Sequence, residues 1–400
     1  MDVDQLIALH TDAGRAALTA ADELTTTAGP AGDDPLAAAS ALRARGVPAR
    51  LAAAALTQSS LRRRADTKFG TDAAVMFFTR AGLEQATRAQ VATRRAARLA
   101  AGTADGATVA DLGCGVGADA IAFARAGLRV VAVDADPVTA AVAAANMAAL
   151  GLADRVVVST MDARELPLDP VDAVFCDPAR RTASGRRVFD PAGYSPPWDF
   201  VLGLADRVPR TVLKLAPGIH HDLVPAGAEA QWVSVTGDVV EATIWCGPLA
   251  STPRRATVIR GDQVHELTGT GERTGPVGPL RRYLYDPDGA VVRAHLVAEF
   301  AATVGGSLAD PTIAYVYADA ATATPYGRCL EIVEAMPFSL KRLRSTLRAR
   351  GIGRLTIAKR GSAVDVERLR RDLRLSGDGE LTAVLTRVAG APTVLLCTPV

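Results

Sequence analysis

Three glycines at alternating positions follow a short apolar stretch of the sequence. The segment DLGCGVG covers residues 111–117 and carries Gly113, Gly115 and Gly117. Glycine lets a backbone turn tightly and approach a ligand closely, and a helix that begins after such a turn offers unpaired N–H groups. The G-x-G-x-G spacing differs from the G-x-G-x-x-G of dinucleotide enzymes, and Asp111 precedes the first glycine. The segment therefore predicts a cofactor-binding turn.

Two further aspartates follow predicted strands downstream of this turn. Asp134 ends the second strand, where a carboxylate can accept hydrogen bonds from both ribose hydroxyls of an adenosine ligand. Capping of the helix that begins at Pro137 is the alternative role, for which Asp136 is the better candidate. Asp162, in STMDA, follows the third strand, where an acidic side chain can accept from an adenine amino group. We therefore expect an adenosine-containing cofactor.

A carboxylate and a proline end the fourth predicted strand, in the segment Cys176-Asp177-Pro178-Ala179-Arg180-Arg181. Arg180 and Arg181 can hold a phosphate or the edge of a guanine base. The alternative is that Arg180 pairs with a nearby carboxylate. Because they follow the end of a predicted strand, where α/β proteins bind ligands, Asp177, Pro178 and Arg180 are candidate site residues.

Two side chains that follow this motif in the sequence, Trp198 and Lys214, each leave two interpretations open. Trp198 lies between loop residues of GYSPPWDF and can stack on a base or plug a hydrophobic gap. Lys214 interrupts an apolar strand, so its amine either reaches the substrate edge of the sheet or snorkels to solvent. We expect Cys246 to be a buried free thiol, and His220 and His221 to be a surface pair without a function.

Strands and helices alternate from Thr108 onward, which predicts an α/β fold with a parallel sheet. We expect four regions: an N-terminal helical region at 1–100, the α/β domain at 101–250, a connector at 251–324 and a small C-terminal α/β domain at 325–400. Within them, the pattern predicts one long helix over about 83–100. It also predicts an antiparallel hairpin from WVSV and EATIWCG that closes the edge of the sheet.

The composition excludes several classes of protein. About half of the residues are apolar and 22% are charged, as in soluble globular proteins. The chain begins with acidic residues and contains no uninterrupted apolar run of ~18 residues, so we expect a cytoplasmic protein without a membrane partner. Five dispersed cysteines and few histidines predict neither disulfides nor a metal site.

Charge is distributed unevenly along the chain. Residues 325–400 contain 14 Lys and Arg against 7 Asp and Glu, a net charge of +7, whereas the remaining residues carry −5. Such asymmetry is typical of nucleic-acid contact, although solvated amphipathic helices produce it too. One predicted helix face carries a run of cations, namely Lys341, Arg342, Arg344 and Arg348, and a second basic pair is Lys359 with Arg360.

The motifs at successive strand ends resemble those of the class I S-adenosylmethionine-dependent methyltransferases, over about residues 108–250. The resemblance implies a Rossmann-like fold in which Asp111 and the three glycines line the methionine part of the cofactor. It implies contacts of Asp134 with the ribose and of Asp162 with the adenine. It also implies that the segment with Asp177, Pro178 and Arg180 occupies the position of the catalytic motif, where the acceptor binds. Amine-directed members carry a second proline and an aromatic residue where this chain has Ala179 and Arg180. An arginine at this position also resembles the uracil-C5 RNA methyltransferases, which need a later nucleophilic cysteine.

Two flanking segments extend the resemblance. The sequence before the α/β domain is similar to that of methyltransferases related to trimethylguanosine synthase, and the similarity rests on Lys68, Phe77, Phe78, Glu84, Gln85 and Thr87. The C-terminal segment, with EIVEAMPF and LTIAKRG, resembles a THUMP-like domain. Because THUMP domains bind RNA, the resemblance implies methylation of a base in structured RNA, with tRNA and rRNA undistinguished. The alternatives are a small-molecule or protein methyltransferase, and a catalytically weak cofactor-binding RNA-associated protein.

Overall fold

The computed structural model describes residues 2–27, 35–180 and 193–400. The chain divides into two compact units. The first comprises Met1–Leu215 with Trp245–Leu249, and the second comprises Ala216–Ile244 with Ala250–Val400.

The first unit begins with a helical region, as the sequence predicts. Its six helices are α1 (Val3–His10), α2 (Asp12–Thr27), α3 (Pro35–Ala44), α4 (Ala49–Phe69), α5 (Arg80–Gln85) and α6 (Ala89–Ala101). The Asp2 and Gln5 side chains form a capping box that starts α1. Leu9 and Leu42 are fully buried, and they belong to one apolar cluster that also includes residues of the sheet domain.

The single helix predicted over 83–100 is wrong, because the structure contains two short helices with a break at residues 86–88. At the break, the Thr87 hydroxyl donates to Asp119 (2.7 Å), and Arg95 forms a buried ion pair with the same carboxylate. The Lys68 ammonium donates to the carbonyl oxygens at the end of α5. Lys68 thereby satisfies carbonyl oxygens that a continuous helix would satisfy internally, whereas Asp119 binds side chains at the break and in α6.

A parallel sheet forms the core of the first unit and confirms the predicted Rossmann-like α/β fold. Its strands lie in the order β3-β2-β1-β4-β7, and every pair is parallel. The elements are β1 (Thr108–Leu112), α7 (Ala118–Arg125), β2 (Arg129–Asp134), α8 (Pro137–Ala149), β3 (Val156–Thr160), β4 (Ala173–Cys176), β5 (Ala179–Arg180), β6 (Tyr194–Ser195), α9 (Trp198–Arg207) and β7 (Thr211–Leu215). Chain reversal at β1 places the carboxyl ends of β1 and β4 side by side, where α/β proteins bind ligands.

The second unit opens with β8 (Glu229–Val235), β9 (Asp238–Trp245), β10 (Arg254–Arg260) and β11 (Gln263–Gly269), although Trp245 itself groups with the first unit. β8 and β9 are neighbours joined by Thr236 and Gly237, whose φ values of 53° and 90° suit a tight hairpin turn. The hairpin is therefore present. It does not close an edge, because β10 pairs in parallel with β8 and β11 pairs with β10.

A second sheet contains seven strands in the order β13-β14-β12-β15-β18-β17-β16. Its elements are β12 (Tyr283–Pro287), α10 (Gly289–Arg293), α11 (Val297–Thr303), β13 (Ser307–Leu308), β14 (Val316–Ala318), β15 (Gly327–Pro337), α12 (Leu340–Ala349), β16 (Ile352–Lys359), α13 (Val366–Leu373), β17 (Gly379–Val388) and β18 (Ala391–Pro399). From β15 onward the elements follow the order that the sequence predicts. The residues predicted as a connector contribute β12 to β14 to the same sheet. The four-region division of the chain stays a prediction.

A buried asparagine joins α8 to two irregular segments of the first unit. The Asn146 side chain accepts from the Phe77 amide (2.7 Å), and it donates to the carbonyl oxygens of Phe77 (3.1 Å) and Val116 (2.9 Å). Because Asn146 is fully buried, loss of these bonds would leave backbone groups without water to replace them.

We predict that Asn146→Ala lowers the free energy of unfolding of the first unit by about 2–4 kcal/mol, since three buried backbone groups lose their partner. Urea denaturation measures this change as a lower midpoint. Ala144→Asn, at an exposed position of α8, controls for the helix propensity of asparagine and should change the midpoint little. Equal midpoints for Asn146→Ala and the wild type would contradict the assignment.

Candidate active site

The glycine turn between β1 and α7 has the backbone that its sequence predicts. Gly113, Gly115 and Gly117 have φ values of 84°, 58° and 88°, a region that disfavours residues with a Cβ atom. A Cβ atom on Gly113 would lie 2.9 Å from the carbonyl oxygen of Asp177, and one on Gly117 would meet Met147 at 2.5 Å. A Cβ atom on Gly115 would meet nothing within 4 Å. The turn is thus packed at both ends and open in its middle, as a cradle for a ligand requires.

Asp134 holds the shape of this turn from the end of β2. Its two carboxylate oxygens accept from the amides of Gly115 (3.1 Å) and Asp136 (2.9 Å). Asp136 instead caps α8 by accepting from Val138 (3.0 Å), as predicted. A carboxylate has about four acceptor positions, which suits binding of hydroxyl donors. Its predicted contact with a ribose stays a prediction.

Asp111 is fully buried on β1, and neither of its carboxylate oxygens has a hydrogen-bond partner among the described residues. Burial raises its pKa well above the usual range, and the nearby carboxylates of Asp119 and Asp177 act in the same direction. Lys214 and Arg95 oppose that shift only in part. A cationic ligand group at this place would satisfy both the charge and the hydrogen bonds of Asp111, so the residues fit an ammonium-bearing cofactor.

Asp162 follows β3, and its carboxylate is hydrogen-bonded to Arg164. Its carboxylate accepts from the Arg164 amide (2.9 Å) and forms two bonds with the Arg164 guanidinium, at 3.0 and 2.7 Å. These side-chain bonds, followed by the backbone bond, lower the pKa of Asp162 to about 2. Asp162 therefore remains ionised, and its predicted adenine contact stays a prediction in which Arg164 is a neighbour that the sequence did not identify.

Asp177, directly after β4, forms an ion pair with Lys214 of β7. The Lys214 Nζ and Asp177 Oδ2 atoms are 2.5 Å apart, and the Asp177 amide donates to the carbonyl oxygen of Leu112 (3.2 Å). Burial raises the pKa of Asp177, and the adjacent Lys214 ammonium opposes the rise. Of the two orientations open for Lys214, its amine therefore points to the edge of the sheet where β4 ends.

The remaining residues of the motif follow Asp177 directly in the sequence. Pro178 is buried, and β5, which contains Arg180, pairs with β6. The Arg180 side chain and the whole of Arg181 lie outside the described residues. Trp198, at the start of α9, is partly buried with its ring 5.4 Å from that of Tyr194.

The remaining candidate residues are Cys246 and the adjacent histidines His220 and His221, which differ in burial. Cys246 is a buried free thiol, as predicted, and burial raises its pKa to about 11. Within the described ranges, no group of His, Cys, Asp and Glu side chains could hold a metal ion. Similarly, no helix there is long and apolar enough to cross a membrane. His220 is exposed, whereas His221 packs against two other rings.

Lys68 supports the site from α4, and the sequence offered only a family similarity to identify it. Its ammonium donates to the carbonyl oxygens of Leu83 (2.7 Å), Glu84 (2.9 Å) and Ala86 (3.0 Å). Burial, followed by the charge of Lys214, lowers the pKa of Lys68 to about 8. Since all three ammonium protons have acceptors, Lys68 orders the segment between α5 and α6 rather than acting as a base.

Comparison with known proteins identifies the chemistry of this arrangement. Residues 109–186 match a methyltransferase domain family, residues 327–399 match a THUMP domain-like family, and residues 2–65 match a domain family of unknown function. A solved Porphyromonas gingivalis W83 structure described as a methyltransferase shares the fold, with a TM-score of 0.76, 22% identity and coverage of 96% of this chain and 98% of its own.

Curated relatives from two strains of Mycobacterium tuberculosis, CDC 1551 and H37Rv, are described as uncharacterised S-adenosylmethionine-dependent methyltransferases. Each is 37% identical over 362 residues, which span 85% of this chain and 95% of the relative. Identity and coverage of this extent show that the chain belongs to the S-adenosylmethionine-dependent methyltransferases.

Proposed function

We propose that this enzyme transfers the methyl group of S-adenosylmethionine to a base in structured RNA. The observation that carries the RNA substrate is the THUMP-like region at residues 327–399, in the same chain as the methyltransferase domain. THUMP domains bind RNA, and the net charge of +7 over residues 325–400 suits a polyanion. Free cysteines at all five positions suit a reducing compartment, so we propose that the enzyme acts in the cytoplasm.

The proposed cofactor contacts follow from the geometry of the turn. Asp111 would bind the ammonium of the methionine part, the three glycines would let the backbone approach it, and Asp134 would accept from the ribose. Asp162 would lie at the adenine. The bound cofactor would supply an electrophilic methyl group on its sulfonium, which would pass to an acceptor lone pair as the bond to sulfur breaks and leaves a neutral thioether.

The proposed role of Asp177 is to orient the acceptor. Lys214 holds one carboxylate oxygen, Oδ2, which leaves Oδ1 to accept a hydrogen bond from the N–H of a base. Pro178 is buried and fixes the backbone that follows. Arg180 follows in β5, and we propose that it holds a phosphate or a base edge.

The proposed RNA-docking surface consists of Lys341, Arg342 and Arg348 on α12. All three side chains are exposed, and none forms an ion pair with another described residue. Arg344, predicted on the same face, donates instead to the Asp372 carbonyl oxygen.

The second basic pair is likewise engaged within the protein. Lys359 donates to the carbonyl oxygen of Val364 (2.9 Å), and Arg360 binds Asp286 (2.9 Å). We therefore assign docking to Lys341, Arg342 and Arg348 alone.

We predict that Asp111→Asn stabilises the ligand-free protein but weakens cofactor binding. The pKa of Asp111 is raised in the folded state, so its ionisation destabilises the fold as the pH rises through that pKa. The melting temperature of the variant should exceed that of the wild type at pH 8, with the difference shrinking toward pH 4. Its Kd for S-adenosylmethionine, measured by calorimetry, should rise about tenfold or more.

Asp119→Asn is the matched control, because that equally buried carboxylate has partners in Thr87 and Arg95. It should lower the melting temperature at pH 8. A stabilised Asp119→Asn variant, or unchanged cofactor affinity in Asp111→Asn, would contradict the assignment.

A second prediction separates acceptor binding from cofactor binding. Asp177→Ala should lower kcat for RNA methylation about 100-fold or more, while the Kd for S-adenosylmethionine stays within about twofold, because the carboxylate acts on acceptor geometry. Label transfer and calorimetry measure the two quantities. An equal loss of both would mean that Asp177 supports the fold.

Lys214→Met should shift the pH profile of kcat. We propose that Asp177 accepts a hydrogen bond from the base in its ionised form. The Lys214 ammonium opposes the rise in the pKa of Asp177. Without the ammonium, the pKa of Asp177 should increase further, so activity on the acid side should be lost at a higher pH than in the wild type. If the acid side of the pH profile of kcat does not shift, turnover does not depend on the ionisation of Asp177.

The RNA surface is tested by replacing Lys341, Arg342 and Arg348 together with alanine. Binding of structured cellular RNA should weaken, and the slope of log affinity against log salt should flatten by about 0.7 to 0.9 per lost phosphate contact. The matched control removes the same charge from three arginines that have acidic partners, Arg354, Arg368 and Arg370. Similar slopes for the two triple variants would exclude α12 as the docking surface.

A further inference from the structure

Three aromatic rings in the second unit form a continuous stack. The His221 ring lies between Trp232 of β8, at a centroid distance of 4.9 Å, and His295, at 3.7 Å, with interplanar angles of 24° and 19°. Trp232 is fully buried and its indole N–H donates to the Pro217 carbonyl oxygen (3.0 Å). His295 is exposed. The stack therefore runs from the core to the surface, and its outermost ring is covered by His221 on one face.

His295 has an unfavourable backbone conformation for a residue with a side chain. It follows α10 with a φ of 59°, and the amides of His295 and Leu296 donate back to Val292 (3.2 Å) and Val291 (3.0 Å). This is the Schellman arrangement, in which glycine is the usual residue at the left-handed position. Other helices in the described part of the chain have glycine there, namely Gly46, Gly127, Gly151, Gly305 and Gly351.

Glycine would occupy the position of His295 with less backbone strain. The presence of histidine there points to a use for its ring. Strained positions of this kind concentrate at functional sites. Burial lowers the pKa of His221 to about 4, and burial with the charge of Arg254 lowers the pKa of His295. Both rings are therefore neutral near pH 7 and stack without mutual repulsion.

An arginine with a free guanidinium face lies beside the stack. A Cβ atom on Gly271 would lie 2.7 Å from Cγ of Arg254 and 3.4 Å from the Ala294 carbonyl oxygen, so the arginine and the chain at His295 are adjacent. Arg254 donates to the Pro253 carbonyl oxygen (3.1 Å), and no carboxylate in the described part of the chain forms an ion pair with it. Glu272 acts on it only through space.

Arg254 also lines a cleft of about 440 Å³, formed by residues 224–228 and 250–254 with Thr270 and Glu272. That volume lies within the range of small-ligand sites, about 300–1,000 Å³. A flat exposed ring, a cation without an ionic partner and a cleft of this size together match a base, a phosphate and a sugar.

We propose that His295 and Arg254 bind one nucleotide of an RNA, with its base stacked on the outer face of His295 and its phosphate paired with Arg254. This proposal rests on the proposed RNA substrate and adds a contact outside the basic face of α12. Stacking of bases on aromatic side chains and pairing of phosphate with guanidinium are both tolerant of sequence. The contact would thus orient the RNA strand without selecting a base.

The test measures binding of a fluorescent single-stranded adenosine decaribonucleotide to the full chain. His295→Gly should weaken binding about tenfold, from the loss of one stacked base. It should not lower the melting temperature, because glycine is the favoured residue at this position. His295→Phe, which keeps a flat ring, should bind within about threefold of the wild type.

Arg254→Gln should weaken binding and flatten the salt slope by about 0.7, the value for one single-strand phosphate. Arg260→Gln is the control, because Arg260 is an exposed arginine at the other end of β10 and should leave the slope unchanged. Cofactor affinity should be unchanged in all four variants.

Wild-type affinity of His295→Gly, or a wild type that does not bind the decamer, would overturn the proposal. If structured RNA is still bound and methylated in that case, only the stacking contact fails and the ring serves to cover His221. If no RNA is bound or methylated and the triple α12 variant has no effect either, the proposed RNA substrate fails as well.

Discussion

The arrangement of the active site depends on buried negative charge beneath the glycine turn. Asp111, Asp119 and Asp177 interact with one another at the carboxyl end of the sheet, and Arg95 and Lys214 provide opposing charge near Asp111. Each cation is directly bonded to a different aspartate, Arg95 to Asp119 and Lys214 to Asp177. Asp111 has no hydrogen-bond partner among the described residues, which costs folding free energy in the absence of a ligand. A ligand cation bound at this place would offset that cost.

The N-terminal helices have a structural role in this site. The segment between α4 and α6 has few bonds of its own, and buried polar side chains from other elements satisfy its backbone. Gln58 exchanges two hydrogen bonds with Phe78, at 2.7 and 3.0 Å, and Asn146 does the same for Phe77. A Cβ atom on Gly82 would lie 2.6 Å from Val116 of the turn. The helical region therefore fixes one wall of the turn through a small number of specific contacts.

Local patterns in the sequence predicted the elements well, because alternation of apolar residues and glycine positions are local properties. They located the strands of the parallel sheet and the glycine turn at Gly113, Gly115 and Gly117, but they missed β12 to β14, which lie in the predicted connector. The break at Thr87 was missed because its contacts come from Lys68 and Asp119, which are distant in sequence. The use of Arg360 was missed because its partner, Asp286, is 74 residues away.

The same limit applies to the site. Strand ends indicated which aspartates converge, but the partner of Lys214 and the isolation of Asp111 are properties of three-dimensional packing. The ring stack at His295 was also not evident, since its members come from three separate segments of the chain.

The pairing of β15 has a consequence for how this architecture can be inherited. β15 lies between β12 and β18, so a segment that precedes the THUMP-like region supplies one of its two neighbours. Leu284, Tyr315 and Tyr317 from that segment share an apolar cluster with Leu330 and other residues of the C-terminal strands. A gene fragment that begins at β15 would encode an eleven-residue strand with one open edge and an uncovered apolar face, both of which promote aggregation. Recombination that transfers this region to another enzyme must therefore carry β12 to β14 with it, and the unit of exchange is larger than the THUMP-like region at residues 327–399.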